Sequence, residues 1–570
     1  MSDAARTGAV FDPRDAGAAS DPRRAGAASD PRRAGAASDP RRAGAASDAH
    51  PDGWLRGHGW LAAVGAAVAL LHAPYLFPGG PAARDAAPWK LMQDEGTVLY
   101  DAARMAGGEV MYRDWFEFMG PVFYGVYAAL FRVTGPSVTA ARALSVMTTA
   151  AAAMLLALLV ARFAGRVAGA GAAAVYALAF VPFWPFAYPQ WLAAAWTLGA
   201  LAVLTAARAG PRHEWAGGVL LGLACATIQS VGVPALVAAA GAAAAPGLAA
   251  RDARAALLRP ARVLAGAVVV LAIFAAYYAA RGALGALAFD LFVWPFRHYG
   301  HGQGDLPYAA YTDAWTKAHR ALAAPWRWGG VLSLQVTRLA PVAAVPAAAL
   351  AAVEALRRVW RGDADTRFAT AAGAGVACVA PLLLRFTRQD LTHVAFLGAF
   401  GLCAVAAVCA PRGAPSRATR IAAAVLFGLA GVAAAASYGS KLALSWAKSR
   451  GLGDWDAEVM KLPDSAWLAA AAPPGARVVI GADYAGWRYL TLRPAAVAHT
   501  LLPQNALDYL ADAQWQRLAA EIAARRPAAM LLTGAQWTRL CAARPDLAAL
   551  YRTIGGARFV LAGPAPPAPP

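Results

Sequence analysis

Charged side chains set in apolar surroundings are where this chain could do chemistry, and four stretches hold them. Asp94-Glu95-Gly96 opens an amphipathic pattern, with Val98, Ala102 and Met105 on one side and Asp101 and Arg104 on another. Tyr112-Arg113-Asp114-Trp115-Phe116-Glu117-Phe118 sets charges among aromatic rings just before Gly120-Pro121. Phe296-Arg297-His298-Tyr299 with His301 follows a long apolar run, and Arg388-Gln389-Asp390-Leu391-Thr392-His393 joins two others. A carboxylate in such a place can cap a helix, pair with a cation or exchange a proton; a cation can hold an anion. Each stretch also has a plain reading. Asp94 would cap its helix by accepting backbone N–H groups. The rings around Glu117 match an interfacial aromatic belt. The loop with Arg297 would simply be solvated. Arg388 and Asp390 would close their loop as a pair, since charges this near hydrocarbon are costly unless they pair or face an aqueous cleft.

The elements that must position these residues are membrane helices. Of 570 residues 59% are hydrophobic and 15% charged, and the mean hydropathy is +0.43. A soluble protein of this length needs more charge to cover its surface. Apolar runs of spanning length recur, about eleven in all. They centre on residues 60–78, 143–161, 167–185, 190–207, 215–231, 232–248, 261–280, 329–353, 368–386, 392–410 and 419–437. With the N-terminus inside, the loops bearing Arg162/Arg166, Arg208/Arg212, Arg251/Arg254/Arg259/Arg262, Arg357/Arg358/Arg361 and Arg412/Arg417/Arg420 all fall on the cytoplasmic side. That agreement with the positive-inside rule accounts for most of the net charge of +19, so no nucleic-acid partner is expected. Counting Gly120–Thr134 as a span would invert every later loop; it reads as a re-entrant or interfacial helix.

Within residues 1–53 the unit Ala-Gly-Ala-Ala-Ser-Asp-Pro-Arg-Arg repeats from Ala16 to Arg42, with a partial copy through Asp48 and no large apolar side chain in the repeats to bury, and the stretch reads as a disordered cytoplasmic tail rather than a signal peptide. Residues 54–440 form the membrane domain, with outer loops 79–140 and 282–328. Residues 441–570 have soluble composition and an α/β rhythm. Strands are expected at Arg477–Ala482, Ala528–Thr533 and Arg558–Ala562, with helices at Asp512–Arg525 and Ala535–Tyr551, before a Pro-rich tail. The fold expected is an all-α polytopic bundle with a small extracytoplasmic (periplasmic) α/β domain. The five cysteines match no metal or disulfide spacing.

The ordered series Asp-Glu-Gly, Tyr then Ala-Ala-Arg, Gly-Gly-Glu, Tyr-Arg-Asp, Phe-Glu-Phe-Met-Gly-Pro-Val-Phe-Tyr and a second Ala-Ala-Arg resembles the first outer loop of C-type (GT-C) glycosyltransferases. By pattern the series is nearest to the aminoarabinose transferases of lipid A and to bacterial family-39 glycosyltransferases, with protein O-mannosyltransferases more distant. The resemblance covers residues 90–145 and extends loosely, by hydropathy and loop order, to the C-terminal domain. It implies an inverting hexosyl- or pentosyltransferase of the inner membrane. Such an enzyme takes a sugar from a polyprenyl-phosphate donor and gives it to a lipid, glycan or protein acceptor of the cell envelope. An acceptor hydroxyl is a poor nucleophile until a carboxylate takes its proton. Asp94 matches the acid in that role, and Glu117 the second loop acid that positions the acceptor or shares the proton. Glu95 is adjacent but a quarter-turn away. The leaving phosphate needs cations; the resemblance points to Arg297 and His298, and to Arg388 and His393, with Arg113 and Asp390 as secondary candidates.

One departure stands out. The loop Phe183-Trp184-Pro185-Phe186-Ala187-Tyr188-Pro189-Gln190 lacks the carboxylate that many relatives carry, so a divalent metal at Asp94 and Glu117 would have an incomplete ligand set. A flippase or transporter of a lipid-linked substrate is the alternative, but it would show inverted repeats and midplane charges, and here the charges sit at the outer boundary. A non-catalytic scaffold would leave Asp94 on an open surface.

Overall fold

Short local signals start and stop the helices. Pro121, Pro189 and Pro211 stand in the first turns of α3 (Pro121–Thr134), α6 (Pro189–Leu204) and α7 (Pro211–Thr227), where a missing N–H costs nothing. The Ser137 hydroxyl accepts from the Ala140 N–H to cap α4 (Val138–Ala164), and Asp252 caps α9 (Ala253–Ala280) in the same way. Of the remaining helices up to that point, α1 is Pro51–His72, α2 Pro88–Ala106, α5 Arg166–Val175 and α8 Gln229–Ala249. Then follow α10 (Leu284–Ala288), α11 (Trp326–Trp360), α12 (Arg367–Leu383) and α13 (Gly398–Cys409). The computed structural model describes residues 51–76, 88–181, 186–206, 210–299, 326–363, 367–383, 395–409, 463–481, 494–498, 510–555 and 558–562. The chain divides after Gly57: residues 51–57 are the described part of the first unit, and His58–Pro570 is the second.

Helix occupies most of the described part of every predicted span except the last, near 419–437, which lies outside the described residues, and the break between α7 and α8 falls at Ile228, inside the span expected at 215–231. Among the described residues, three helices are long and apolar enough to cross a membrane: α4, α8 and α9. Their outward faces say the same. Only 28% of the apolar window of α9 is buried, and Val268, Val269 and Ile273 on it are exposed, as are Val233 and Val237 on α8. Apolar surface of that extent requires lipid against it. Between helices, small residues allow close approach: a Cβ on Gly218 of α7 would lie 2.1 Å from the Val263 carbonyl oxygen of α9. Helix α3, with 14 residues, is about 21 Å long and falls short of the hydrocarbon thickness.

Near the C-terminus, β1 (Val478–Ile480), β2 (Ala529–Leu531), β3 (Tyr551–Gly555) and β4 (Arg558–Leu561) form one sheet in the order β1-β2-β4-β3. The β1/β2 pair is parallel, Val479 opposite Met530, and the other two pairs are antiparallel. Both faces of β1 and β2 are covered, as a parallel pair requires. Helix α14 (Pro463–Ala471) places Leu468 on one face, and α15 (Asp512–Arg525) places Trp515, Leu518 and Ile522 on the other. One expectation fails here. Ala535–Tyr551 is not a single helix: α16 (Gly534–Ala543) stops before Arg544-Pro545, α17 (Leu547–Leu550) is one turn, and Tyr551 begins a strand. Pro545 offers no N–H and drives Arg544 to extended geometry (φ −152°, ψ 95°).

Candidate functional site

The loop between α2 and α3 is folded by its own polar groups. The Asp114 carboxylate accepts from the Val110 N–H (2.6 Å) and from Arg113, while its N–H donates to the Val110 carbonyl. The Arg104 guanidinium lies 4.6 Å over the Trp115 ring and donates to the Asp114 carbonyl. Tyr112 takes the left-handed conformation (φ +68°), which is strained for an aromatic residue. Its hydroxyl donates to the Met119 carbonyl (2.8 Å), and its ring packs edge-on against Tyr278. The loop ends at Gly120, where a Cβ would meet the Ala226 carbonyl oxygen at 2.1 Å, so α7 and the loop touch through backbone.

Glu117 is 3% exposed, and both carboxylate oxygens are engaged. Oε1 accepts from the N–H groups of Phe118 (2.8 Å) and Met119 (3.0 Å); Oε2 accepts from the Tyr124 hydroxyl (2.6 Å). The Glu117 N–H donates to Asp290 Oδ2 at 3.2 Å. Gln229 ties the same two segments together, donating to the carbonyls of Phe118 and Leu291. Asp101, fully buried on α2, acts electrostatically on Tyr124 and lies 4.0 Å from Arg104. Three buried carboxyls thus surround Tyr112 and Tyr124.

Burial raises Glu117 to about 7 and Asp290 to about 7. The groups facing them are Tyr112, Tyr124 and, from the C-terminal part, Arg517, whose charge favours the Asp290 carboxylate. A carboxyl held above its usual range contributes stability that is complete below its unfolded value of about 4 and is lost as pH rises through about 7. The loop is therefore expected to loosen as pH rises from about 4 to about 7 and to change little above that. Hydrogen exchange at the Phe118 and Met119 amides, corrected for intrinsic rates, should speed up over that window, and Asp290→Asn should flatten the dependence. Protection that is constant or rises with pH would contradict this.

The residues singled out in the sequence fall as follows. Helix α2 begins at Pro88, well over a turn before Asp94, so Asp94 neither opens nor caps it. Trp89 to Gln93 are ordinary helix formers behind a first-turn proline, which is why the helix starts early. Asp94 stands about two turns before Asp101, on the same helix face; its side chain lies outside the described residues. Glu95 is 1% exposed and bound by Arg142, whose Nε and Nη2 donate to its two oxygens at 3.1 and 2.6 Å. Arg113 pairs with Asp114 at the surface. Arg297 is exposed, and the His298 side chain lies outside the described residues. Arg388, Asp390 and His393 lie outside them entirely. Among the described residues no hydrogen bond or ion pair joins Glu117 to Arg297, and no group of three His, Cys, Asp or Glu could hold a metal ion.

Sequence reasoning did not single out Arg142, Asp290, Tyr124 or Gln229 as site residues. For two of them a signal existed. Asp290 is the one charged residue of 282–296, and Arg142 is a lone cation opening an apolar run, a placement that demands a partner.

No family model and no curated protein matches the chain. Among solved structures it is similar to ArnT from Cupriavidus metallidurans bound to undecaprenyl phosphate, at 16% identity and TM-score 0.46, over 89% of this chain and 99% of that one. It is also similar to the Archaeoglobus fulgidus oligosaccharyltransferase tethered with an acceptor peptide, at 13% identity and TM-score 0.43, over 90% and 75% of the two chains. The oligosaccharyltransferase AglB from the same organism, in complex with an inhibitory peptide and a dolichol-phosphate, matches at 12% identity and TM-score 0.42, over 90% and 75%.

Proposed function

We propose that this chain is a membrane glycosyltransferase that moves a sugar from a polyprenyl-phosphate donor to a cell-envelope acceptor. The observation that carries the reading is that Asp101, Glu117 and Asp290 lie buried together around Tyr112 and Tyr124, where the loop after α2 packs beside lipid-facing helices. In this reading the acceptor oxygen attacks the anomeric carbon, Asp94 takes its proton, and the bond to the phosphate oxygen breaks with inversion. Polyprenyl phosphate leaves, its charge met by Arg297 and His298 and by Arg388 and His393. Glu117, whose oxygens are filled by three donors, shapes the loop rather than taking the proton. The reaction would occur on the outer face of the inner membrane, with residues 1–53 inside and residues 441–570 outside.

The test is mass spectrometry of envelope glycans and lipids with and without the protein, paired with release of polyprenyl phosphate by the purified protein in liposomes. The expected result is one sugar modification lost in cells and donor turnover in vitro. Unchanged glycans, or a shift of lipid-linked sugar between leaflets without transfer, would overturn the reading; the second outcome is that of a transporter.

A further inference from the structure

Residues 282–296 carry a single charged side chain, Asp290, and it points inward: it is 5% exposed and accepts from the Glu117 N–H. Trp294 is fully buried, its ring 4.9 Å from Phe116 and 5.2 Å from Phe118. The outward side is aromatic, with Phe289, Phe292 and Phe296 exposed by 40%, 54% and 63%. A helix facing water places its charges outward and its rings inward. This one does the reverse. It also follows α9 after a short turn at Gly282 (φ +67°), and the exposed apolar face of α9 ends in Ile273 and Tyr277.

We propose that residues 284–296 lie along the membrane surface, with Phe289, Phe292 and Phe296 sunk among the acyl chains of bilayer lipids. The inner side of the segment grips the acid-bearing loop through Asp290 and Trp294. Lipid rather than a partner protein is the occupant because the segment follows the lipid-facing helix α9 directly in the chain, across the exposed Arg281, and its own exposed side bears no charge from Leu284 as far as Phe296. Arg297, exposed at its end, then reaches the headgroup level, as long cations do at an interface. The proposal is independent of any transfer reaction.

Spin labels test it in the full chain reconstituted in phosphatidylglycerol/phosphatidylethanolamine vesicles. The background is Cys409→Ser with Cys541→Ser; the remaining cysteines are buried. Single cysteines replace Phe292 or Phe296, with Ile273→Cys as a membrane control and Asp512→Cys, 80% exposed, as a water control. Labels at 292 and 296 should collide with oxygen as the label at 273 does, and with a water-soluble nickel chelate several-fold less than the label at 512. A nickel response like that at 512 would place the stripe in water and overturn the proposal. So would a label reached by neither reagent, which means that protein covers it. Two positions guard against one variant failing to fold.

Discussion

Asp94→Asn is expected to lower the transfer rate by about a hundred- to ten-thousandfold, the usual contribution of a positioned base, while donor binding changes little. The substitution keeps size and removes the ability to accept a proton. Because α2 begins at Pro88, Asp94 is inside the helix and a loss of activity cannot be assigned to a lost cap. Aspartate and asparagine have similar helix propensities, so stability should hardly move. A variant that folds and transfers sugar at nearly the wild-type rate would remove Asp94 from the mechanism. A variant that fails in donor binding would place it on the phosphate side instead.

The largest stability effect is expected at Arg142. Arg142 and Glu95 are each 1% exposed, and Arg142 also lies 5.1 Å over the Phe186 ring. Arg142→Met would leave the Glu95 carboxylate buried without its cation, at a cost of about 3–5 kcal/mol. The Glu95→Leu/Arg142→Met double variant should recover most of that loss, since replacing both charges by apolar groups of similar volume is often near neutral. Thermal unfolding of the purified protein in detergent reads both. If the single variant melts with the wild type, the pair does not form; if the double variant is no better than the single, Glu95 is not what the Arg142 cation holds.

The two experiments separate neighbouring residues with opposite duties. Asp94 and Glu95 adjoin in sequence, yet a helix turns consecutive side chains about 100° apart. Glu95 is committed to α4 through Arg142, which makes α2 a fixed platform. The Glu117 loop is a second platform, held to Asp290 and Gln229 from segments more than a hundred residues away.

Apolar run length, loop charge and turn residues are local quantities, and they were enough to locate the long helices, the amphipathic character of α2 and the strands at Val478, Ala529 and Arg558. Where local signals competed, the reading slipped: the apolar pattern over Ala535–Tyr551 outweighed Pro545, and Asp94 looked like a cap although Pro88 had already begun the helix. Partner choice is not a local quantity. That Glu95 would find Arg142, that the Glu117 N–H would find Asp290, and that Tyr124 would close on Glu117 follow from which helices pack together. A buried charge accepts whatever counter-group the packed interior brings within reach, and only the tertiary structure decides which one that is.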